Sequence, residues 1–479
     1  MGTYTKEQLT DELNRIKTAT SACRDAIYNK GVTSIPADAS LGSLATYASM
    51  ITCDHPDILL SYIANSNTNA SSSSDIADVY FDTGYKPSAY IEFSGVFSMP
   101  ENNGNGALFG AYDTLENRMW FIPYSTGTNK FSYCNNLTGI NWVKSGTPSG
   151  AGTFVFTSGS MSIYNHYDAE VITINGENST TTRVTPTTTT IIDETLLLFA
   201  RHNKGNADCK AIKGTKIKYI CFYDKAVLVR FYIPVLHWHN GQYVPCFYDK
   251  VNDNYIYNLG SDPVYYESTG YTLLDSLYYT SSSPEIKSGF ATAQSITSFD
   301  RLHTRYSFVS NSNYNEQGLI VSRLSSSVKT GIYAKYVGGT SIGYKMIPGR
   351  KYTKNSSGAY TDLHSDITIL PYQTATFSSY QTIVNNNWRP TFSVNGSITV
   401  GNTTQQTTTQ FNNKTYNLLY YIVSPYIKMH YASLTNDYMN NSSNAYIPLL
   451  INNTPCFYEL RTETAIYNTV DKLGYDILY

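Results

Sequence analysis

The sequence predicts a mainly β protein: two tandem β-sandwiches, residues 57–267 and 268–479, preceded by a short helical segment, residues 1–56. Three observations predict it. A helical period occurs only in the first fifty residues. After Cys53 the chain turns into short runs of Tyr, Ile, Val, Phe and Thr between clusters of Gly, Asn, Ser and Pro. And one line is written twice, "FYIPVLHWHNGQYVPCFYD" at 231–249 and "AYIPLLINNTPCFYE" at 445–459. Composition agrees. Of 479 residues only 15% are charged, well under the usual quarter, while 44 are Tyr, a residue that favours half-buried pleated surfaces.

In the N-terminal segment, Leu9, Leu13, Ile16, Thr20, Cys23 and Ile27 recur at spacings of four, three, four, three and four. This is a heptad seam carrying one polar residue. Thr5 is placed to cap the start, and Gly31 follows the last turn. A lone helix of this length is marginal in water, so the seam needs a partner. The candidates are the segment "LGSLATYASMI" (41–51), a second chain, or a larger assembly.

Beyond it, "AYIEFSGVF" (89–97), "MWFIPY" (119–124), "FVFTS" (154–158) and "VITING" (171–176) read as strands joined by turns. "TTTRVTPTTTTII" (180–192) reads as an exposed strand or loop. The duplication covers more than the repeated line. Tyr232-Ile233-Pro234 matches Tyr446-Ile447-Pro448, and Pro245 to Asp249 matches Pro455 to Glu459. The offset falls from 214 to 210 at the turn, where the first copy is four residues longer. "DILLSYIANSNT" (57–68) matches "YTLLDSLYYTSS" (271–282), which sets a seam near Glu267.

The repeated line reads as strand, tight hairpin, strand. Asn240-Gly241 supplies the turn. Pro234 lacks a ladder donor and belongs at an edge or a strand end. Cys246 and Tyr248 take one face, Phe247 and Asp249 the other. His237 and His239, flanking Trp238, also share a face, the geometry for two metal ligands. No further ligand lies at suitable spacing and the second copy reads "INN", so these three residues are expected to be contacts of an exposed tip. The seven cysteines are odd in number, scattered and without a CxxC pair, which fits buried apolar thiols in a reducing compartment.

Several function classes are excluded on the same grounds. A net charge of −2 gives no basic stripe for nucleic acid. No run approaches ~20 apolar residues, so no membrane helix is expected. The start lacks the apolar centre of a signal peptide, and Lys6 stands where a myristoylation signal needs Ser or Thr. Glu92, Glu116, Glu170 and Glu177 stand singly, where a glycosidase needs a carboxylate pair. No nucleophile elbow, phosphate loop or zinc-protease motif occurs. The chain is expected not to be an enzyme and to need no cofactor.

"YFDTGYKP" (80–87), "LLLFARHNKG" (196–205), "KIKYICFYDKAVLVRFYIPV" (216–235) and "CFYDKVNDNYIYNLGS" (246–261) together resemble the concanavalin A-like, laminin G-like jelly-roll domains of virion proteins from tailed bacteriophages. The second repeat carries the pattern weakly, with "LLYYIVS" (418–424) standing loosely for "LLLFARHN". "AIYNKGVTSIPADASLGSLATYASMI" (26–51) is similar to a module near the ends of phage head and tail appendage proteins, including those of crAss-like Bacteroidales phages.

The resemblance implies two concanavalin A-like jelly-roll sandwiches behind an N-terminal α-helical anchor. It further implies a head fibre on the virion surface, made in the host cytoplasm. The anchor would meet other capsid or tail proteins and self-associate, as a trimer before a dimer, while the sandwiches touch host or mucosal glycans. A tail fibre or receptor-binding protein is the alternative, and a glycan-cleaving jelly-roll enzyme stands behind both. Many such domains hold calcium. Asp249 and Asp253 offer too few oxygens for it, and no structural metal is expected.

Overall fold

The computed structural model describes residues 5–29, 36, 40, 55–72, 74–100, 106–122, 131–138, 140–145, 152–160, 169–175, 177–182, 191–224, 227–279, 290–291, 301–308, 317–323, 328–337, 343–353, 360–361, 367–369, 374–384, 387–394, 397–400, 418–421, 427–436, 442–468 and 473–477. The described chain is mainly β, with one α-helix at Lys6–Asn29. That helix opens on a capping box. The Thr5 N–H donates to Gln8 Oε1 at 2.9 Å, and the Gln8 N–H returns a bond to Thr5 Oγ1 at 3.2 Å. Residues 41–51 and Gly31 lie outside the described residues.

Each repeat is built from the same strands in the same order. In the first, a front sheet runs Glu177–Thr182, Ala169–Ile174, Gly152–Ser160, Ile91–Met99, Lys216–Asp224, Val227–His239, Gln242–Asp249, Asn254–Ile256. In the second it runs Ser397–Val400, Asn387–Val394, Thr374–Val384, Arg301–Phe308, Ile427–Asn436, Ser442–Ile451, Thr454–Glu459, Thr464–Tyr467. Every pairing is antiparallel. A separate back sheet accompanies each, built on Phe81–Asp82, Leu197–Leu198, Phe109–Tyr112, Arg118–Ile122 and Phe131–Asn135 in the first. In the second it is built on Phe290–Ala291, Leu418–Tyr421, Gln317–Arg323, Val328–Val337 and Gly343–Thr353. The loosely matching "LLYY" thus occupies the place of "LLLFA". Between the sheets of the first repeat lies an aromatic core of Phe93, Phe97, Phe109, Phe121, Phe156 and Phe222, with ring centroids 5.0–6.5 Å apart.

The two copies of the repeated line fold in one register. Tyr232 pairs with Asp249 and Tyr446 with Glu459; Val235 pairs with Cys246 and Leu449 with Cys456. Both hairpins turn on two residues with positive φ, Asn240-Gly241 and Asn452-Asn453, which match the strand twist. The four extra residues of the first copy form two further rungs, Trp238 with Tyr243 and His239 with Gln242. The prolines sit inside their strands rather than at an end. Each marks the place where its strand changes neighbours. Tyr232 pairs with Ile220 but Val235 with Leu59; Tyr446 pairs with Ala432 but Leu449 with Leu273. A residue without an N–H is tolerated where one ladder ends and the next begins.

Both faces of this hairpin are buried. Tyr232, Leu236 and Phe247 point into the first sandwich. Phe231, Ile233, Val235, Cys246 and Tyr248 point the other way, into a second apolar cluster that also holds Ala445, Ile447, Leu449, Cys456 and Tyr458. These five pairs are the equivalent positions of the two repeats, so the copies pack against each other. Phe231 meets Tyr431 edge-on at 5.5 Å. The strand Tyr265–Tyr279 joins the halves. Its start pairs with Ile58–Ala64, and its end pairs with Leu473–Ile477. The boundary expected at 267/268 falls inside this continuous strand.

Replacing Phe231, fully buried between the repeats, by Ala is expected to cost about 3–5 kcal/mol by equilibrium urea unfolding. A loss under about 1 kcal/mol would show that the cluster contributes little.

Candidate functional site

Two places combine geometry with uncommitted or unusual chemistry: the helix seam and the hairpin tip. On the helix, Leu9, Leu13 and Ile16 are 52%, 56% and 44% exposed. Thr20 turns its hydroxyl back onto the Ile16 carbonyl at 2.8 Å, and Cys23 is an exposed free thiol. Ile27 lies in the helix, with its side chain outside the described residues. The seam therefore faces solvent along its described length.

His237, Trp238 and His239 are half-buried, and the exposed end of the tip is Asn240-Gly241. His237 and Trp238 grip residues at the entry to the first sandwich. His237 donates Nδ1–H to Asp57 Oδ1 at 2.7 Å and stacks on Tyr255 at 3.7 Å. Tyr255 donates its hydroxyl to the other Asp57 oxygen at 2.6 Å. Burial, then the Asp57 charge, holds that phenol far above its ordinary pKa. Trp238 stacks flat on His55 at 3.7 Å and meets Tyr243 edge-on. His239 lies against Tyr257, whose hydroxyl is 3.3 Å from Nδ1. Asp57 also accepts the Leu273 N–H on its carbonyl, tying the entry to the joining strand. Among the described residues no three His, Cys, Asp or Glu side chains are grouped for a metal. Sequence reasoning missed His55, Asp57 and Tyr255. The one signal was the four-residue excess, which builds the two rungs that reach His55.

A second polar cluster crosses between the repeats. Lys250 is fully buried beside the Asp275 carbonyl at 3.5 Å. Burial lowers its pKa to about 8, against the pull of Asp275 and Asp253. Burial pushes the Asp275 carboxyl up, but the hydrogen bond and charge of His430 outweigh it, with Lys250 and Arg305 adding, and hold it below the usual range. Arg305 of the second repeat clamps the corner of the first hairpin. It donates to the Lys250 carbonyl at 3.0 Å and forks onto Asp253 at 2.6 and 2.8 Å. Asp253 also accepts the Tyr248 hydroxyl. Asp249 accepts the N–H groups of Phe231 and Val251 and the Asn252 amide. The two carboxylates weighed for calcium are thus spent on structure. Cys246 and Cys456 face the shared cluster, and burial raises the Cys456 thiol to about 12.

Of the single glutamates, Glu92 is buried and Glu116 is held by Lys204 and Tyr112. The side chains of Glu170 and Glu177 lie outside the described residues.

No family model matches the chain, and no curated protein does. Among solved structures, domains LG4-5 of the mouse laminin α1 chain align over 88% of this chain and 96% of theirs, at 10% identity and a TM-score of 0.27. The LG1-3 region of the laminin α2 chain aligns over 88% and 66%, at 11% identity and a TM-score of 0.24. Likenesses this low carry no argument; the strand order above stands on the chain's own pairings.

Lys250→Met is expected to change the pH dependence of stability. The folded pKa lies below the unfolded one, so between pH 8 and 10.5 the unfolded chain holds more protons and stability rises with pH. That rise, up to about 3 kcal/mol, disappears in the variant; urea midpoints from pH 7 to 10 measure it. Trp238→Ala is expected to weaken the hold on His55 by about 1 kcal/mol. Limited proteolysis should then cut faster beside His55 while the melting temperature barely moves, and an unchanged cutting rate would contradict the clamp.

Proposed function

We propose that the chain is a structural, non-enzymatic protein of a tailed-phage virion. In this reading it is a capsid head fibre, held by its N-terminal segment and projecting two β-sandwiches that touch glycans or another host surface. The observation that carries the reading is the exposed heptad seam of Lys6–Asn29, set beside a β body whose own apolar faces are buried against each other. An apolar stripe with no cover among the described residues calls for a partner. Copies of the same helix satisfy it by knobs-into-holes packing, with a trimer favoured over a dimer and the polar Thr20 limiting the seam's own strength. The neutral surface rich in Ser, Thr, Asn and Tyr supports contact with hydroxyl-rich partners rather than nucleic acid. The sequence resemblance to virion appendage proteins supports the location. The clamp on residues 55–57 supports a fixed exit direction for the anchor.

Sedimentation velocity of the full chain and of residues 57–479 tests the anchor. The full chain is expected to sediment as a trimer and the truncated chain as a monomer. An unchanged oligomer after truncation removes the helix as organiser. Antibody-gold labelling of intact virions tests the location, with label over the capsid expected. Label confined to the tail would replace the head-fibre reading by a tail fibre, and no label on the particle would end both.

A further inference from the structure

We propose that His237 and His239 form a two-histidine site for a divalent transition metal of the Ni²⁺, Cu²⁺ and Zn²⁺ class. The site goes beyond the fibre reading and does not depend on it.

The two residues alternate with Trp238 on the strand Val227–His239, so their rings leave the same face of the sheet. The ring centroids are 6.4 Å apart and the rings are tilted by 35°. Each ring is held by its Nδ1 edge. His237 Nδ1 lies 2.7 Å from Asp57 Oδ1, and the other Asp57 oxygen takes the Tyr255 hydroxyl at 2.6 Å. A carboxylate only accepts, so Nδ1 carries the proton and the neutral ring keeps its lone pair on Nε2. His239 Nδ1 lies 3.3 Å from the Tyr257 hydroxyl, whose oxygen can accept from it and leave a second lone pair on Nε2. Neither Nε2 has a protein partner among the described residues.

A ligating histidine almost always donates its other ring N–H to a carboxylate, a carbonyl or water, which fixes the tautomer and raises the basicity of the ligating nitrogen. Asp57 does this for His237, and it is itself buried and fixed by Tyr255. The donor set selects the metal. Neutral imidazole suits Ni²⁺, Cu²⁺ and Zn²⁺, whereas Mg²⁺ and Ca²⁺ take oxygen. With metal–nitrogen bonds of about 2.0–2.1 Å, the ring centres must close by about 1 Å. His239, beside the exposed Asn240-Gly241 turn, supplies that movement. No third His, Cys, Asp or Glu joins the pair among the described residues. Water fills the other positions, and the site is an open one of modest affinity rather than a closed structural one. The shorter hairpin of the second repeat reads Ile451-Asn452-Asn453, so it offers no second site.

The test is calorimetric titration of the full chain with NiCl₂, and separately with MgCl₂ and CaCl₂. The chain carries Cys23→Ser throughout, to remove the exposed thiol of the helix. One Ni²⁺ per chain is expected to bind with a Kd on the order of 10 μM, and the hard cations not to bind. His239→Asn is expected to weaken Ni²⁺ binding at least tenfold. Asp57→Asn leaves both ligands in place and is expected to weaken it roughly tenfold. Electron paramagnetic resonance of the Cu²⁺-loaded chain is expected to show two imidazole nitrogens, and one in His239→Asn. Ni²⁺ binding unchanged in His239→Asn assigns the ion elsewhere and overturns the site. A single nitrogen in the chain with both histidines overturns the shared ligation. Unchanged affinity in Asp57→Asn overturns Asp57 as the positioning residue. No Ni²⁺ binding tighter than about 1 mM, or equal binding of Ca²⁺, overturns the proposal outright. None of these outcomes bears on the fibre reading, which stands or falls on sedimentation and virion labelling.

Discussion

The outward faces of the two closing hairpins are buried against each other, and the rest of the molecule follows from that contact. An ordinary antiparallel sheet shows one face to the core and one to water. Here Phe247 fills the first sandwich while its neighbours Cys246 and Tyr248 fill the contact with the second. The strands therefore have no wet side, and "YICFY" and "FYIPV" are apolar at every position. The positions that share this cluster are equivalent ones, Ile233 and Ile447, and Cys246 and Cys456, among them. Duplication thus supplied both halves of the interface from one line of sequence.

The repeats differ where their surroundings differ. The first must receive a chain arriving from the anchor, and its hairpin carries two extra rungs, whose Trp238 and Tyr243 hold His55 and Pro56. The second is entered through the strand it shares with the first, so it needs no such clamp, and Asn452-Asn453 closes its shorter hairpin directly. Lys250 is the sharpest difference. Its counterpart is Leu460, and only the first copy faces Asp275 and the cap supplied by Arg305. A buried ammonium costs stability unless compensated, and the surrounding carboxylates and carbonyls offset part of that cost.

Much of the fold was legible in the sequence. The mainly β class, the capped N-terminal helix, the Asn-Gly turn and the alternation of Cys246 and Tyr248 against Phe247 all follow from local pattern. The shared register followed from the offsets of 214 and 210. Other features were not legible, for physical reasons. Asp57 and His237 are 180 residues apart, and no local period encodes their hydrogen bond. The prolines looked like strand ends because a missing donor is usually tolerated only there. A switch of neighbouring strand tolerates it too, and that depends on tertiary pairing. The apolar runs gave no sign of what covered the second face, since a sandwich core and an inter-repeat core ask for the same residues.

Hydrogen exchange of the full chain at stepped urea concentrations tests the packing of copy on copy most directly. Peptides from Val227–Asp249 and from Ser442–Glu459 report on the two hairpins. If each hairpin's outer face is stabilised by the other, both sets lose protection in one transition with a common midpoint. Two separate midpoints, with one hairpin staying protected after the other has opened, would contradict the account.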